Sequence, residues 1–167
     1  MNKKKIMIGI ILLLLIISFT RNIIAKTTGN KLENSYFLQT SLLTKHWDND
    51  PDTNNVQQLI GLEYYPTMAR VYGLSYFKNS AFQSSWYLYK GRIFPWQQIN
   101  DFKLYGKLTY GVITGYDDEG GRYDAVWYDL GTFPAALPSI GLRYKFISVE
   151  VTLFANQGFI VHGGVKF

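Results

Sequence analysis

The chain has 167 residues, with 17 basic and 12 acidic side chains and a formal net charge of +5. It contains no cysteine, which excludes disulfides, thiolate metal sites and cysteine nucleophiles. Four of the basic residues lie within the first 25 positions, so the remainder carries 13 basic against 12 acidic side chains and has no basic stripe. This balance argues against nucleic acid as a partner.

The N-terminus has the pattern of a secretory signal peptide. Lysines 3–5 precede an uncharged apolar run from Ile6 to Phe19, and a small residue, Ala25, closes the stretch. We predict a signal peptide over residues 1–25, followed by a short segment, 26–35. An uncleaved membrane anchor is the alternative, but the apolar run is too short for a comfortable spanning helix.

The rest of the chain alternates between apolar and mixed positions with period two. Between Phe102 and Tyr116, even-numbered positions are mostly apolar, whereas odd-numbered ones carry lysines, glycines and a threonine. The same alternation recurs to the C-terminus. It predicts an all-β domain over residues 36–167 with eight strands, at 36–46, 57–65, 69–78, 84–95, 102–116, 138–146, 147–156 and 157–167.

Alternation alone allows either a soluble sandwich or a membrane barrel. The strands are about ten residues long, the length that crosses a bilayer at a tilt. Tyrosine and tryptophan cluster near their ends, and the chain finishes on Phe167, which resembles the terminal signal of bacterial outer-membrane barrels. We therefore predict an eight-stranded antiparallel up-and-down transmembrane β-barrel, monomeric, in the outer membrane of a Gram-negative bacterium, inserted by the assembly machinery through its last strand.

The interior of such a barrel admits side chains or one slender ligand and no open pore. Seven charged side chains fall on the predicted inward faces, where unpaired charge is costly. We predict that they form a structural network, and that His162, on the interior face of the last strand, is a structural group and not a second catalyst. The seven are Glu63, Lys103, Lys107, Arg143, Lys145, Glu150 and Lys166.

Polar groups of chemical interest meet at one predicted rim. His46 ends the first strand, and Asn79 and Ser80 end the third in the stretch FKNSAFQSS. An imidazole beside a hydroxyl and a carboxamide is compatible with general-base chemistry, although asparagine and serine are also ordinary loop residues.

At these residues the chain resembles the lipid A palmitoyltransferase (PagP) family of eight-stranded outer-membrane barrels. His46 matches the family's rim histidine, and Asn79–Ser80 its aspartate–serine pair. Gly91 matches the interior glycine that sets acyl-chain length, and the prolines of FPAALPSIGLRY, Pro134 and Pro138, match a proline-bounded stretch.

The resemblance implies transfer of an acyl chain from a phospholipid to lipid A or a related acceptor. His46, Ser80 and Asn79 would be catalytic, and Gly91, with Tyr87 and Tyr89 on the same face, would form the acyl pocket. The two prolines would open lateral lipid access, or would only bound a loop.

Asn79 departs from the family, which has an aspartate at this position. A carboxamide cannot accept a proton near neutral pH, so Asn79 could not act as a base. A second hypothesis therefore stands beside the enzyme: a noncatalytic, structural or transporter-like barrel that binds a lipid or small ligand. The acidic run at 48–52 lacks the glycine and glutamate of a calcium loop, so no metal and no cofactor are predicted.

Overall fold

The computed structural model describes residues 32–47, 53–116, 131–154 and 157–167, and these form a closed barrel. Each strand pairs antiparallel with the next along the chain, and β1 also pairs with β8. The predicted all-β, eight-stranded antiparallel barrel is confirmed. Its strands are β1 (Leu32–His46), β2 (Ile60–Thr67), β3 (Arg70–Lys78), β4 (Ser84–Ile99), β5 (Phe102–Thr114), β6 (Thr132–Tyr144), β7 (Ile147–Phe154) and β8 (Gly158–Lys166).

The predicted signal peptide and residues 26–31 lie outside the described residues, as does the acidic run at 48–52. Within the described part, no helix is long and apolar enough to cross a membrane.

Three strand boundaries differ by four residues or more from the sequence expectation: β4 ends at Ile99 and not at residue 95, and the other two are strand starts. β1 begins at Leu32, four residues early, and β6 begins at Thr132, six residues before the predicted start. The prolines expected to precede β6 therefore lie inside it, with Pro134 opposite Val112 of β5. They are tolerated because β7 pairs with β6 only from Ser139 to Tyr144, so among the described residues this part of β6 has a strand neighbour on one side only.

The two ends of the barrel differ in their connections. At one end, here called the turn end, two-residue turns join β2 to β3, β4 to β5 and β6 to β7. Asn100 in the second of these turns has a φ of 52°, a region that asparagine tolerates better than most residues. The opposite end, the loop end, carries the connections 47–59, 79–83, 115–131 and 155–157. Short turns at one end and longer loops at the other are typical of outer-membrane barrels.

The outward face is apolar between two sets of aromatic pairs. Leu62, Leu74, Leu88 and Val149 are among the exposed side chains of its middle part. At the turn end the ring pairs are Tyr36–Tyr64, Tyr36–Phe167 and Phe102–Tyr144; at the loop end they are Tyr76–Trp86 and Trp47–Phe159. An apolar band between aromatic belts matches a hydrocarbon layer between its two interfaces.

The inward face fills the lumen near the turn end with large side chains. Phe37, Tyr65, Val71, Ile93 and Tyr105 form one buried cluster there. Two glycines make room for rings from neighbouring strands: a Cβ at Gly73 would overlap the ring of Tyr89, and one at Gly141 that of Tyr105. The tyrosines can therefore lie across the lumen and carry their hydroxyls to its centre.

Candidate functional site

A layer of buried charge crosses the middle of the lumen, formed by Glu63 of β2, Lys107 of β5 and Glu150 of β7. Lys107 Nζ lies 2.9 Å from Glu63 Oε1 and also pairs with Glu150 Oε2. None of the three is more than 3% exposed. Strands that are distant in sequence thus contribute one ammonium group and two carboxylates to one point, here called the charged layer.

Tyrosine hydroxyls complete the coordination of both carboxylates. Tyr89 donates to Glu63 Oε1 at 2.8 Å, and Tyr105 donates to Glu150 Oε1 at 2.7 Å. Tyr65 also donates to Glu63. Hydrogen bonds of this kind offset the cost of removing the two carboxylates from water. The charged layer therefore fills the middle of the lumen and joins the strands around it, and is here also called the plug.

His162 belongs to this plug. Its Nδ1 lies 2.7 Å from Gln39 Oε1 and its Nε2 2.7 Å from Thr152 Oγ1. Gln39 Oε1 can only accept, so Nδ1 carries the proton. Glu150 Oε2 lies 3.9 Å from Nε2. With both ring nitrogens engaged, His162 holds strands together inside the barrel.

A second group of charges lies nearer the turn end. Lys166 pairs with Glu33, and Arg143 lies 3.9 Å from the same carboxylate while its guanidinium faces the rings of Tyr65 and Tyr105.

The expectation that Lys145 points inward is wrong. It lies in the exposed turn between β6 and β7, 3.8 Å from Asp101, because β6 ends one residue before it and the alternation stops there.

Above the charged layer, towards the loop end, the lumen is not filled. A chamber of about 360 Å³ begins at Glu63, Lys107 and His162 and reaches His46, Asn79 and Ser80 at the rim. Its walls between floor and rim are mostly apolar: Phe77, Ile113, Tyr116, Phe133, Leu137 and Ile160. Its volume is at the lower end of the range, roughly 300–1,000 Å³, of small-molecule sites.

The rim histidine is oriented by a residue that the sequence did not indicate. Asn55 Oδ1 lies 3.3 Å from the backbone nitrogen of His46 and 2.9 Å from its Nδ1. The backbone N–H can only donate, so this Asn55 atom is an acceptor and Nδ1 must carry the ring proton. Nε2 of the neutral ring is then unprotonated and basic. The only sequence signal for Asn55 is its position in TNNVQQ, nine residues beyond the histidine.

Asn79 has a structural environment in which all its polar atoms are engaged. Its Oδ1 accepts from the backbone nitrogens of Ala81, at 2.9 Å, and Gln83, at 3.0 Å. Its Nδ2 has three acceptors within reach: Gln83 Oε1 at 3.0 Å, Ser85 Oγ at 3.2 Å and the Gly115 carbonyl at 3.3 Å. The carboxamide closes the 79–83 loop and ties it to the end of β5, which a carboxylate could not do.

Ser80 lines the chamber next to this amide, and Asn54 fixes its backbone. The Ser80 carbonyl accepts from the Asn54 nitrogen at 2.9 Å, and Asn54 Nδ2 donates to the Asn79 carbonyl at 3.0 Å. The loop after β1 and the loop after β3 are therefore joined at the rim. The structure brings His46, Asn79 and Ser80 to one chamber, as the topology predicts.

The residues expected to form an acyl pocket divide into two groups. Tyr87 and Tyr89 line the chamber, with their rings stacked 4.5 Å apart. Gly91 does not line it: a Cβ there would meet the Leu108 carbonyl oxygen at 2.5 Å and the Thr109 backbone. Gly91 serves the close approach of β4 to β5, and the charged layer, rather than a glycine, limits the depth of the chamber.

Pro134 and Pro138, which were predicted to open lateral lipid access, differ in their position relative to the chamber. Pro134 lines the chamber and Pro138 does not. Both lie on the part of β6 that has no β7 partner, since pairing with β7 begins at Ser139. The wall of the chamber is therefore a sheet edge on this side.

No protein-family model and no curated protein matches the chain. Among solved structures it is similar to the N-terminal β-barrel domain of Pseudomonas aeruginosa OprF, with 12% identity, a TM-score of 0.46, and coverage of 82% of this chain and 98% of that one. Ail, the attachment invasion locus protein of Yersinia pestis, gives 11% identity and a TM-score of 0.34, with 80% and 97% covered. Its complex with the heparin analogue sucrose octasulfate gives 13% identity and the same TM-score and coverage. These similarities concern the fold alone, so membership in the PagP family stays a prediction.

Proposed function

We propose that the protein is an outer-membrane barrel that binds the apolar chain of a single membrane lipid in its chamber. The proposed location rests on the outward apolar band and its two aromatic belts, which suit a bilayer. The binding role rests on one observation: an apolar-walled chamber that extends from the charged layer to His46, Asn79 and Ser80 at the rim.

The lipid can reach the chamber without crossing the charged layer. The unpaired part of β6 gives the wall an edge without a ladder of hydrogen bonds, and Pro134 and Pro138 remove two backbone donors from it. An acyl chain from the surrounding leaflet would enter between β6 and β7, and the polar part of the lipid would stay at the rim.

The chamber can be filled by one substitution to test binding. Ile113, 8% exposed, lines it, whereas its neighbour Val112 is 46% exposed on the outer face. Ile113→Trp should lower the amount of lipid that copurifies from detergent-free membrane particles by about tenfold, equivalent to about 1.4 kcal/mol. Val112→Trp is the matched control and should keep it. A wild-type protein with no enriched lipid in the extract would exclude the binding role.

Acyl transfer is the second candidate function, and the His46–Asn55 pair favours it. His46 Nε2 would take the proton of an acceptor hydroxyl as its oxygen attacks the ester carbonyl of a phospholipid, while Ser80 donates to the developing oxyanion. Collapse breaks the ester bond, and the same proton passes to the leaving lysophospholipid oxygen. Asn79 would only shape the loop that carries Ser80, because its amide is fully engaged.

Mass spectrometry of lipid A from cells with and without the protein tests this second function. One additional acyl chain is expected with the wild type, and none with His46→Ala. Ser80→Ala should keep reduced transfer, since removing one oxyanion donor typically costs 10²–10³ in rate, roughly. If lipid A is unchanged by the wild-type protein while lipid still copurifies, the barrel binds lipid without transferring it.

A further inference from the structure

The outward face carries a cluster of three cations, Arg70, Lys90 and Arg92. All three side chains are exposed. Arg70 lies directly opposite Arg92 in the β3–β4 ladder, and Lys90 is two residues from Arg92 on the same face. Like charges directly opposite each other on a sheet repel, so the arrangement is unfavourable without an anion.

No acidic side chain of the described residues compensates this cluster. Glu63 and Glu150 lie in the charged layer, Glu33 pairs with Lys166, and Asp101 lies near Lys145. The N-terminal 31 residues contain no aspartate or glutamate at all. Among the residues that the structure describes, the positive charge of the cluster therefore has no acidic partner.

The cluster lies on the outward face of the barrel, where positive charge is unusual. Arg70 is the first residue of β3 at the turn end and lies between Thr67 and Arg92 in the two ladders. Tyr72 and Tyr110 lie opposite Lys90, and Leu108 lies opposite Arg92. The exposed Lys45 and Lys145 and the half-buried Lys78 lie at strand ends or in a turn. Cations that face hydrocarbon are costly unless their heads reach the interface or an anion.

A groove on the outer wall lies next to this cluster, although Arg70 and Arg92 do not line it. It has a volume of about 550 Å³ and is lined by Leu62, Leu74 and Leu88 together with the tyrosines 36, 64, 72 and 110. Lys90 also lines it, and its Nζ lies 5.5 Å from the centre of the Tyr110 ring. One end of an apolar groove is therefore marked by positive charge.

We propose that this groove binds an anionic phospholipid from the leaflet at the turn end. Its phosphate would lie between Arg70 and Arg92, with Lys90 as third cation, because arginine binds phosphate oxygens in a bidentate manner. One acyl chain would lie along the leucines of the groove. The site is on the opposite side of the wall from the chamber and depends on the proposed membrane location.

Headgroup selection in a bilayer tests the site. The full chain is inserted into nanodiscs of phosphatidylglycerol and phosphatidylcholine with identical chains, and lipids that stay bound on release are counted by native mass spectrometry. The wild type should retain phosphatidylglycerol over phosphatidylcholine by about tenfold. The R70Q/K90Q/R92Q variant should retain both lipids equally, and each single variant should lose part of the preference.

A control variant, K45Q/K78Q/K145Q, removes the same charge from the ends of the barrel and should keep the wild-type preference. Heat-dependent mobility on gels reports whether each variant is folded. Equal retention of both lipids by the wild type, an equal loss in the control, or a second protein copy in the groove in place of lipid would each overturn the proposal. Failure of the folded chain to insert in any bilayer would overturn the proposed location as well, and is thus a distinguishable result.

Discussion

The two halves of the lumen are built from the same strands but are packed in opposite ways. Towards the turn end, the aromatic cluster and the charged layer fill the space, and Glu63 and Lys107 satisfy each other. Towards the loop end, the inward positions include small residues such as Ser75, Ser85 and Ala135, and a chamber remains. The difference shows that side-chain size decides whether the lumen of a barrel with a fixed strand number is filled or keeps a chamber.

The two halves also differ in how their polar groups are used. In the charged layer, Lys107 pairs with both carboxylates, and tyrosine hydroxyls donate hydrogen bonds to them. At the rim, the polar atoms of Asn54 and Asn79 hold loops, whereas His46 keeps a basic nitrogen at the chamber. We therefore expect substitutions in the charged layer to change the free energy of unfolding. Substitutions at the rim and in the chamber should change lipid binding.

The largest effect is expected from removing the cation of the charged layer. Lys107→Met leaves two buried carboxylates without their ammonium partner, which should cost about 3–5 kcal/mol of unfolding free energy. Urea titration of the folded barrel in lipid, followed by tryptophan fluorescence, measures the loss. Adding Glu63→Gln and Glu150→Gln should recover most of it.

The exposed Lys145 provides the matched control for that experiment. Its pair with Asp101 is more than half exposed on both sides, so Lys145→Met should change stability by less than about 0.5 kcal/mol. A similar loss for both lysines would contradict a special role of the charged layer.

A smaller effect is expected where a glycine admits a tyrosine ring. Gly73→Ala would displace the ring of Tyr89 and its hydrogen bond to Glu63, at a cost of about 1–3 kcal/mol in the same titration. Gly163→Ala is the control, because its nearest neighbour is a terminal methyl of Leu42 at 3.0 Å, which can turn aside. Equal behaviour of the two glycines would show that Tyr89 is not held by this contact.

The smallest effect on stability is expected at the rim, where Asn79 and Asn55 should respond differently to replacement by aspartate. Asn79→Asp removes the donor to Ser85 and Gly115 and should cost about 1 kcal/mol, seen as faster hydrogen exchange in the 79–83 loop. Asn55→Asp keeps the acceptor for His46 and should leave exchange nearly unchanged. If Asn79→Asp instead created or raised acyl transfer with an intact loop, Asn79 would be a modified catalytic position and not a structural one.

Much of the fold could be predicted because alternation is a local property. The inward positions of β5, including Lys107 and Ile113, follow directly from the period-two pattern. The start of β6 could not be predicted, because prolines normally mark loops. Here they are compatible with a strand because the pairing of β6 with β7 among the described residues begins only at Ser139.

The location of the candidate site could be predicted from the sequence, but the roles of its individual residues could not. The up-and-down order places the ends of β1 and β3 at one rim, so His46 and Ser80 were expected near each other. The roles of Asn55 and Asn79 depend on hydrogen bonds between loops of no regular pattern. Gly91 shows the same limit: its glycine marks a close approach, but the sequence does not say whether a ligand or a strand approaches.

The residue pattern by itself determined the strand number, the side of each strand that faces inward and the presence of charge in the lumen, since each of these follows from neighbours along the chain. Only the tertiary structure decided that two glutamates meet one lysine, that the lumen above them is left open and that three outward cations form one cluster. Those outcomes depend on the register between strands, and register brings together residues up to 133 positions apart, as in the contact of Glu33 with Lys166.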